Sequence, residues 1–210
     1  MFRKLREKSG LQTNYWQANE DYILRNAEFD TKLGVKAWSQ ILSGSLGDIT
    51  SVVDVGANIG RNIGFLQDSN LLPNASYTAI DINEQALRQL NSNFPNTKTI
   101  QSSIQTLDCG DTFDLVFTSG VLIHISPDNL HQVFDKLIKL TSKYCILIEY
   151  FNRTPIELSY QGRSKLLWKR DFGRDFLNYS GFELCSYGFL WGYEYDQAGF
   201  DDTTYWVFRR

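Results

Sequence analysis

From residue 50 to the carboxyl end, short apolar runs alternate with stretches whose apolar residues recur at helical spacing. The runs at 50–55, 77–81, 97–101, 113–118, 144–151, 182–190 and 203–209 read as strands, and 59–69, 83–93 and 127–141 read as helices. Strands alternating with helices predict a seven-stranded, mostly parallel sheet covered on both faces. Ser126 followed by Pro127 predicts a capping residue and a proline at the first helical position. Residues 13–45 carry aromatic and charged residues at mixed spacing and read as two helices ahead of the first strand. Residues 152–180, after the fifth strand, are longer than the connection usual at that point.

The chain therefore reads as one domain. A helical cover at 1–45 precedes a ligand-binding core at 50–151, a substrate-side insertion at 152–181 and carboxyl-terminal strands at 182–210. Insertions at the carboxyl ends of parallel strands face the ligand crevice, so both extra segments are candidates for substrate recognition. Residues 191–202 are short enough to join the last two strands as a hairpin, which makes the final strand antiparallel. If the sixth strand runs parallel to the first five, this aromatic and acidic loop lies on the crevice side; otherwise it is a solvated hairpin tip.

The first strand ends in Val-Val-Asp-Val-Gly-Ala-Asn-Ile-Gly-Arg-Asn, residues 52–62. Glycine suits a turn that takes positive φ or lets backbone approach a ligand, and Gly56 and Gly60 are placed for that. A second apolar run ends at Asp81, 21 residues after Gly60, where a carboxylate can accept hydrogen bonds from both hydroxyls of a ribose. A dinucleotide fingerprint counted from Gly56 requires glycine at 58 and 61, but the chain has Asn58 and Arg61. The Gly-Lys-Ser/Thr of a phosphate loop is also absent.

The turn Asp-x-Gly-x-Asn-x-Gly resembles the first motif of class I S-adenosylmethionine-dependent methyltransferases, which implies a Rossmann-like methyltransferase sheet. By that resemblance Asp54, Gly56, Ala57, Asn58, Gly60, Asp81 and Ile82 become cofactor residues. Ser103, Ile104, Thr118 and Val121, at the ends of the next two strands, are further cofactor candidates, and Arg25 pairs with the cofactor carboxylate if the amino-terminal helix folds over the pocket; ordinary packing on the sheet is the alternative for Trp16 and Tyr22. The cofactor implied is S-adenosyl-L-methionine, leaving as S-adenosyl-L-homocysteine.

Composition narrows the partners. With 21 basic and 24 acidic residues, a net charge of −3 offers no global attraction for nucleic acid or an anionic membrane. The opening residues lack the apolar run of a signal peptide, and no stretch approaches the ~18 apolar residues of a membrane span. Three cysteines with no Cys-x-x-Cys pair suit a reduced, cytoplasmic protein, with Cys145 and Cys185 as small core residues of strands. Composition does not address the oligomeric state.

After the fourth strand comes Thr118-Ser-Gly-Val-Leu-Ile-His-Ile-Ser-Pro. The Asp/Asn-Pro-Pro-Tyr of nucleic-acid amino-methyltransferases and the Pro-Cys of pyrimidine methylation are both missing. His124 comes close to the crevice, where a neutral imidazole takes a proton from a hydroxyl or amine; its rival role is to cap the following helix or fasten the crevice wall. Glu149 is the second candidate base. Only two histidines are present, seven positions apart, and no metal is implied.

The same motif, with Ile148-Glu-Tyr-Phe-Asn-Arg, Lys169-Arg-Asp-Phe, Tyr187-Gly-Phe and Asp201-Asp-Thr-Thr-Tyr-Trp, resembles the pseudaminic acid biosynthesis-associated methylases. This likeness extends over most of the chain, including Trp16, Tyr22, Arg25 and Asn26, although Arg61 stands where that family is expected to be apolar. It implies methyl transfer to a small polar acceptor such as a nucleotide-linked or anionic sugar. Trp16, Tyr22, Tyr150, Asn152, Tyr160, Lys169 and Arg170 are the candidate acceptor contacts. The charges between Arg153 and Arg170 read either as a solvated helix face or as a cationic patch for an anionic acceptor. The rivals are a peptide, amino acid or nucleic-acid acceptor, and a cofactor-binding domain without catalysis.

Overall fold

The computed structural model describes residues 15–17, 23, 28–44, 46–108 and 110–210. Helix α1 (Thr31–Ile41) precedes β1 (Ser51–Val55), α2 (Arg61–Ser69), β2 (Ser76–Asp81), α3 (Glu84–Asn93), β3 (Lys98–Gln101) and β4 (Phe113–Ser119). Two 3₁₀ turns, Leu122–His124 and Pro127–Asn129, lead into α4 (Leu130–Leu140) and β5 (Thr141–Tyr150). After these come β6 (Ile156–Tyr160), β7 (Arg163–Lys169), α5 (Phe172–Ser180), β8 (Glu183–Leu190), the short α6 (Gly192–Tyr195) and β9 (Thr203–Arg209).

The main sheet has seven strands in the order β3-β2-β1-β4-β5-β9-β8. Pairing is parallel from β3 to β5, and β9 is antiparallel to both β5 and β8. The expected sheet and its antiparallel last strand are thus present. The order reverses at β1, which places a crevice at the carboxyl ends of β1 and β4.

Period-two alternation divides each central strand between two cores. Val52, Ile146 and Ile148 face Trp38 of α1, Ile63 and Leu66 of α2, and Leu90 of α3. Val53, Val55, Cys145 and Leu147 face Phe134 of α4 and Phe172 and Phe176 of α5. Nearly every residue of β1, β4 and β5 is buried, as in strands covered on both sides. Trp38, at 0% exposure, packs edge-on to Phe117 with ring centroids 4.9 Å apart and locks α1 onto the sheet.

Several expectations need correction. The charged stretch after β5 is not a helix face: β6 and β7 form a separate two-stranded antiparallel hairpin. Its apolar residues Leu158 and Leu167 turn toward the second core while its charges point outward, a period-two arrangement that a helical reading of the charges hid. The helix expected at 127–141 is a 3₁₀ turn followed by α4, and Thr141 already begins β5. Ser126 precedes that turn without a side-chain capping bond. Cys145 is buried as expected, but Cys185 is exposed because β8 is the edge strand. Of the two helices expected at 13–45, α1 is present and residues 15–17 are helical, while most of the rest lies outside the described residues.

Candidate active site

The turn between β1 and α2 owes its path to three positive-φ residues, Gly56 (83°), Asn58 (49°) and Gly60 (87°). The N–H groups of Gly56 and Ala57 both donate to the Ile80 carbonyl, at 2.7 and 3.0 Å, so the turn crosses the end of β2. The two glycines serve different neighbours. A Cβ on Gly56 would sit 2.4 Å from Val121 Cγ2, whereas one on Gly60 would meet Leu90 and Phe94 of the α3 region at 2.9–3.0 Å. Gly56 therefore lets the turn approach the loop after β4, and Gly60 lets α2 pack.

Asp81 closes β2 with its carboxylate between two backbone donors: Oδ2 accepts from Asn58 N–H at 2.7 Å and Oδ1 from Asn83 N–H at 2.8 Å. Burial raises its pKa in spite of those bonds. Each oxygen retains a further acceptor position, and Asp81 lines a mainly apolar cavity. Asp54 is buried beneath the turn. Desolvation holds its pKa well above the ordinary carboxylate value, opposed by the Arg61 charge and reinforced by Asp81.

That cavity encloses about 780 Å³, its open mouth included. Gly56, Asp81, Ile82, Ser103, Ile104 and Val121, all expected cofactor residues, line it together. Trp16 also lines it, and the Asn83 side-chain amide donates to the Trp16 carbonyl at 3.2 Å. Trp16, expected at the acceptor, thus borders the same cavity as Asp81. Ala57, Asn58, Gly60 and Asp54 frame the turn beneath. Tyr22 and Arg25 lie outside the described residues. Asp54 Oδ2 and both side-chain polar atoms of Asn58 are buried with no hydrogen-bond partner, and leaving such groups unpaired is costly. Orphaned polar atoms in the turn, beside a cavity floored by a ribose-type carboxylate, fit the adenosine cofactor.

The loop after β4 is the wall of the cavity. Thr118 Oγ1 donates to Glu149 Oε1 at 2.8 Å, and Val121 N–H and Ile123 N–H reach Oε1 and Oε2 at 3.2 and 3.3 Å. Thr118 and Glu149 are both 0% exposed, so they sit behind the wall and not on its surface. Desolvation pushes Glu149 up to about 7 although its donors pull the other way.

His124 ends the first 3₁₀ turn, with Nδ1 2.7 Å from the Leu166 carbonyl oxygen on β7. A carbonyl only accepts, so Nδ1 carries the proton and Nε2 is the acceptor of the neutral ring. The Trp16 and Tyr160 rings lie 4.3 and 5.3 Å from it, centroid to centroid. Withdrawal from water pushes its pKa down to about 4, against the upward pull of Leu166.

A second hollow, about 660 Å³ with its mouth, opens on the other side of the wall. Gly120 and His124 border both cavities; Tyr150, Tyr160, Phe200, Asp201 and Thr203 border this one. Because β8 is parallel to β5, the loop at 191–202 lies on the crevice side. Tyr150 donates its hydroxyl to Asp201 at 3.3 Å, and burial followed by the Asp201 charge pushes that hydroxyl up to about 12. Arg61, the residue out of place in the resemblance, donates to the Gly199 carbonyl at 3.0 Å and lies over Phe29 and Phe200. It anchors the loop to α2.

The remaining acceptor candidates divide. Lys169 Nζ lies 4.4 Å from the ring centroid of Tyr150, which lines the hollow. Asn152 turns its side chain to the Thr154 carbonyl. Arg170 faces away, paired with Asp175 at 2.7 Å in a groove beside α4 and α5. Phe200, Asp201 and Thr203 were not singled out. Their loop was legible, but its side depended on the direction of β8. Among the described residues no group of three or more His, Cys, Asp or Glu could hold a metal ion, and no helix is long and apolar enough to cross a membrane.

Residues 52–143, from β1 into β5, match the family described as "Methyltransferase domain". Over this segment the chain resembles a methyltransferase domain. No curated protein matches the chain. Among solved structures, the fold resembles a Burkholderia thailandensis 1,6-didemethyltoxoflavin-N1-methyltransferase with bound 1,6-didemethyltoxoflavin and S-adenosylhomocysteine. There the TM-score is 0.67 at 14% identity, covering 97% of this chain and 86% of that one. It also resembles a Synechocystis magnesium protoporphyrin IX methyltransferase with bound SAM, with a TM-score of 0.67 at 16% identity and 97% of each chain. A SAM-dependent methyltransferase from Leishmania major reaches 0.72 at 16% identity, over 97% of this chain and 83% of that one. At such identities the likeness is one of fold. The methyltransferase domain supplies the turn, Asp81 and the His124 wall, while the acceptor hollow draws on residues beyond its carboxyl end.

Proposed function

We propose that this chain transfers a methyl group from S-adenosylmethionine to a small polar acceptor, a nucleotide-linked or otherwise anionic sugar, seated in the hollow beside Tyr150 and Tyr160. The observation that carries the proposal is the shared wall: Gly120 and His124 border both cavities, so a donor on one side meets an acceptor on the other. Arg61 and Lys169 supply positive charge at the acceptor side, and the aromatic rings supply flat walls for a sugar or heterocycle.

The cofactor contributes an activated methyl group on a positively charged sulfur. Asp81 would accept hydrogen bonds from the ribose hydroxyls, the turn from Gly56 to Gly60 would border the cofactor, and Ile82, Ser103, Ile104 and Val121 would enclose its base. His124 presents Nε2 to the acceptor's hydroxyl or amine proton and thereby orients the attacking lone pair. Because the ring is a weak base, most of the rate comes from holding acceptor and methyl in line at attack distance. The new bond to carbon forms as the carbon–sulfur bond breaks, the electron pair stays with sulfur, and the acceptor's proton leaves through His124 or water.

The test is incubation of the protein with deuteromethyl cofactor and a small-molecule extract of the source cell, followed by mass spectrometry. A labelled anionic or nucleotide-linked sugar is the expected product. A label found only on peptides, amino acids or nucleic acid removes the sugar reading, and no label in any fraction removes the catalytic one.

A further inference from the structure

Glu149 is the largest charge-bearing group in the site that the methyl transfer does not use. It ends β5 with no exposed surface, yet both carboxylate oxygens are engaged: Oε1 by Thr118 Oγ1 and Val121 N–H, Oε2 by Ile123 N–H. All three donors belong to the loop that divides the two cavities. Three of its residues, Gly120, Val121 and His124, face the cofactor cavity, and Gly120, Ile123 and His124 face the hollow.

We infer that Glu149 is the positioning residue of the site, the buried acceptor that folds the loop from Thr118 to His124 into the one shape that forms both cavities and presents His124 between them. This rests on the methyl-transfer reading for its consequence in catalysis, but not for its structural content.

The stereochemistry is restrictive. A loop that leaves a strand and tightens into a 3₁₀ turn has backbone N–H groups with no intrahelical partner. Here those of Val121, Leu122 and Ile123 converge on one carboxylate. Glutamine has nearly the same shape but one oxygen and one NH₂. If the NH₂ takes the Oε1 position it meets Val121 N–H, and if it takes the Oε2 position it meets Ile123 N–H. Either placement sets donor against donor in a dry site. Thr118 is less exacting, since its hydroxyl can donate or accept. A protonated Glu149 can donate to it while the N–H groups keep an oxygen. The ionisable group that senses the Glu149 charge is Tyr150, on its own strand and bonded to Asp201, while the His124 ring is turned to Leu166.

His124 makes the loop's shape observable. The chain contains only two histidines, and His131 stacks on Tyr179 at 4.7 Å on the far side of α4, where it serves as an internal reference. In the intact full-length protein, ring nitrogen spectra of ¹⁵N-histidine samples should show His124 as the Nδ1–H tautomer that does not titrate above pH 5. In Glu149→Gln the His124 signal should titrate near the ordinary value of about 6.5 or average its tautomers, with His131 unchanged. S-adenosylhomocysteine affinity should fall by about 10-fold or more, as expected for disrupted charged hydrogen bonds. Thr118→Val, which removes one hydroxyl but leaves both carboxylate oxygens and their backbone donors, should leave both histidine signals in place. Should Glu149→Gln prove unfolded by circular dichroism, Glu149→Asp, which keeps both acceptors on a shorter arm, should stay folded with an altered His124 signal. A folded Glu149→Gln or Glu149→Asp whose His124 spectrum and cofactor affinity both match the parent overturns the inference. If the spectrum shifts as described but the parent protein binds no S-adenosylhomocysteine, the inference stands and the methyl-transfer reading fails.

Discussion

Asp81 Oδ2 accepts the backbone N–H of Asn58 at 2.7 Å, across 23 residues of chain. The bond ties the end of β2 to the crest of the turn after β1, so the carboxylate proposed to receive the ribose also sets the shape of the turn. Asp81→Ala removes a charged acceptor worth ~1.5–3 kcal/mol. S-adenosylhomocysteine affinity should therefore drop by about 10- to 150-fold in calorimetric titration. Unchanged affinity would take Asp81 out of the site.

Gly56 should be intolerant of any side chain. Its φ of 83° is strained for alanine, and the added Cβ would lie 2.4 Å from Val121 Cγ2. Gly56→Ala should abolish detectable cofactor binding while far-UV circular dichroism still reports a folded sheet. The double variant with Val121→Ala should recover only part of the loss, because it relieves the clash and not the φ strain.

Trp16 roofs the cofactor cavity against His124 and Tyr160. Aromatic pairs of this kind contribute ~0.5–1.5 kcal/mol beyond simple burial. Trp16→Ala should weaken S-adenosylhomocysteine by roughly 2- to 10-fold and leave the melting temperature nearly constant. A large fall in melting temperature with unaltered affinity would make Trp16 a packing residue only.

His124→Ala should lower turnover by ~10²- to 10⁴-fold if the ring takes the acceptor's proton, with cofactor affinity nearly constant. The sign of its pH dependence follows from a folded-state pKa pushed down to about 4 from 6.5. The ring stays neutral through the ordinary imidazole range, so activity due to it should be level from pH 8 to about 5 and decline only toward 4. Between 6.5 and 4 the unfolded chain binds the proton more readily, so stability from this group is lost as pH falls through that window. A rate profile that breaks at 6.5 would contradict the buried tautomer.

Asp114 joins the starts of β1, β4 and β5. Burial alone would raise its pKa, but Thr50 N–H and hydroxyl, then Lys143 and Ser142, outweigh it and bring it from 3.8 to about 2. A depressed carboxylate stabilises the fold above its unfolded pKa, and that stability is lost as pH falls from about 4 to 2. The shift corresponds to about 2 kcal/mol. Asp114→Asn should lower the melting temperature at pH 7 and narrow its gap to the parent as pH approaches 2.

The β1 turn, Asp81 and the alternation of strands and helices were legible in the sequence because each follows from a short-range rule: period-two burial, positive φ at glycine, and a fixed distance from turn to carboxylate. The His124 tautomer was not legible, since its partner is a backbone carbonyl 42 residues away and any residue type supplies one. The hairpin after β5 was hidden by its charges, whose spacing suits a helix face as well as the outer side of a two-stranded ribbon. Glu149 could be named from its motif, but its place behind the wall emerged only when β5 paired with β4.

By itself, the order of polar and apolar residues in this chain determined which segments form the seven strands of the main sheet, where the glycine turn lies and which carboxylate closes it. Tertiary structure alone decided that β8 runs parallel and brings residues 191–202 over the acceptor hollow, that Arg61 anchors that loop, and that Arg170 faces away. The reason is physical: local patterning is set by neighbours within a few residues, whereas the acceptor hollow is assembled from the ends of β4, β5, β7 and β9, whose meeting depends on strand order and direction.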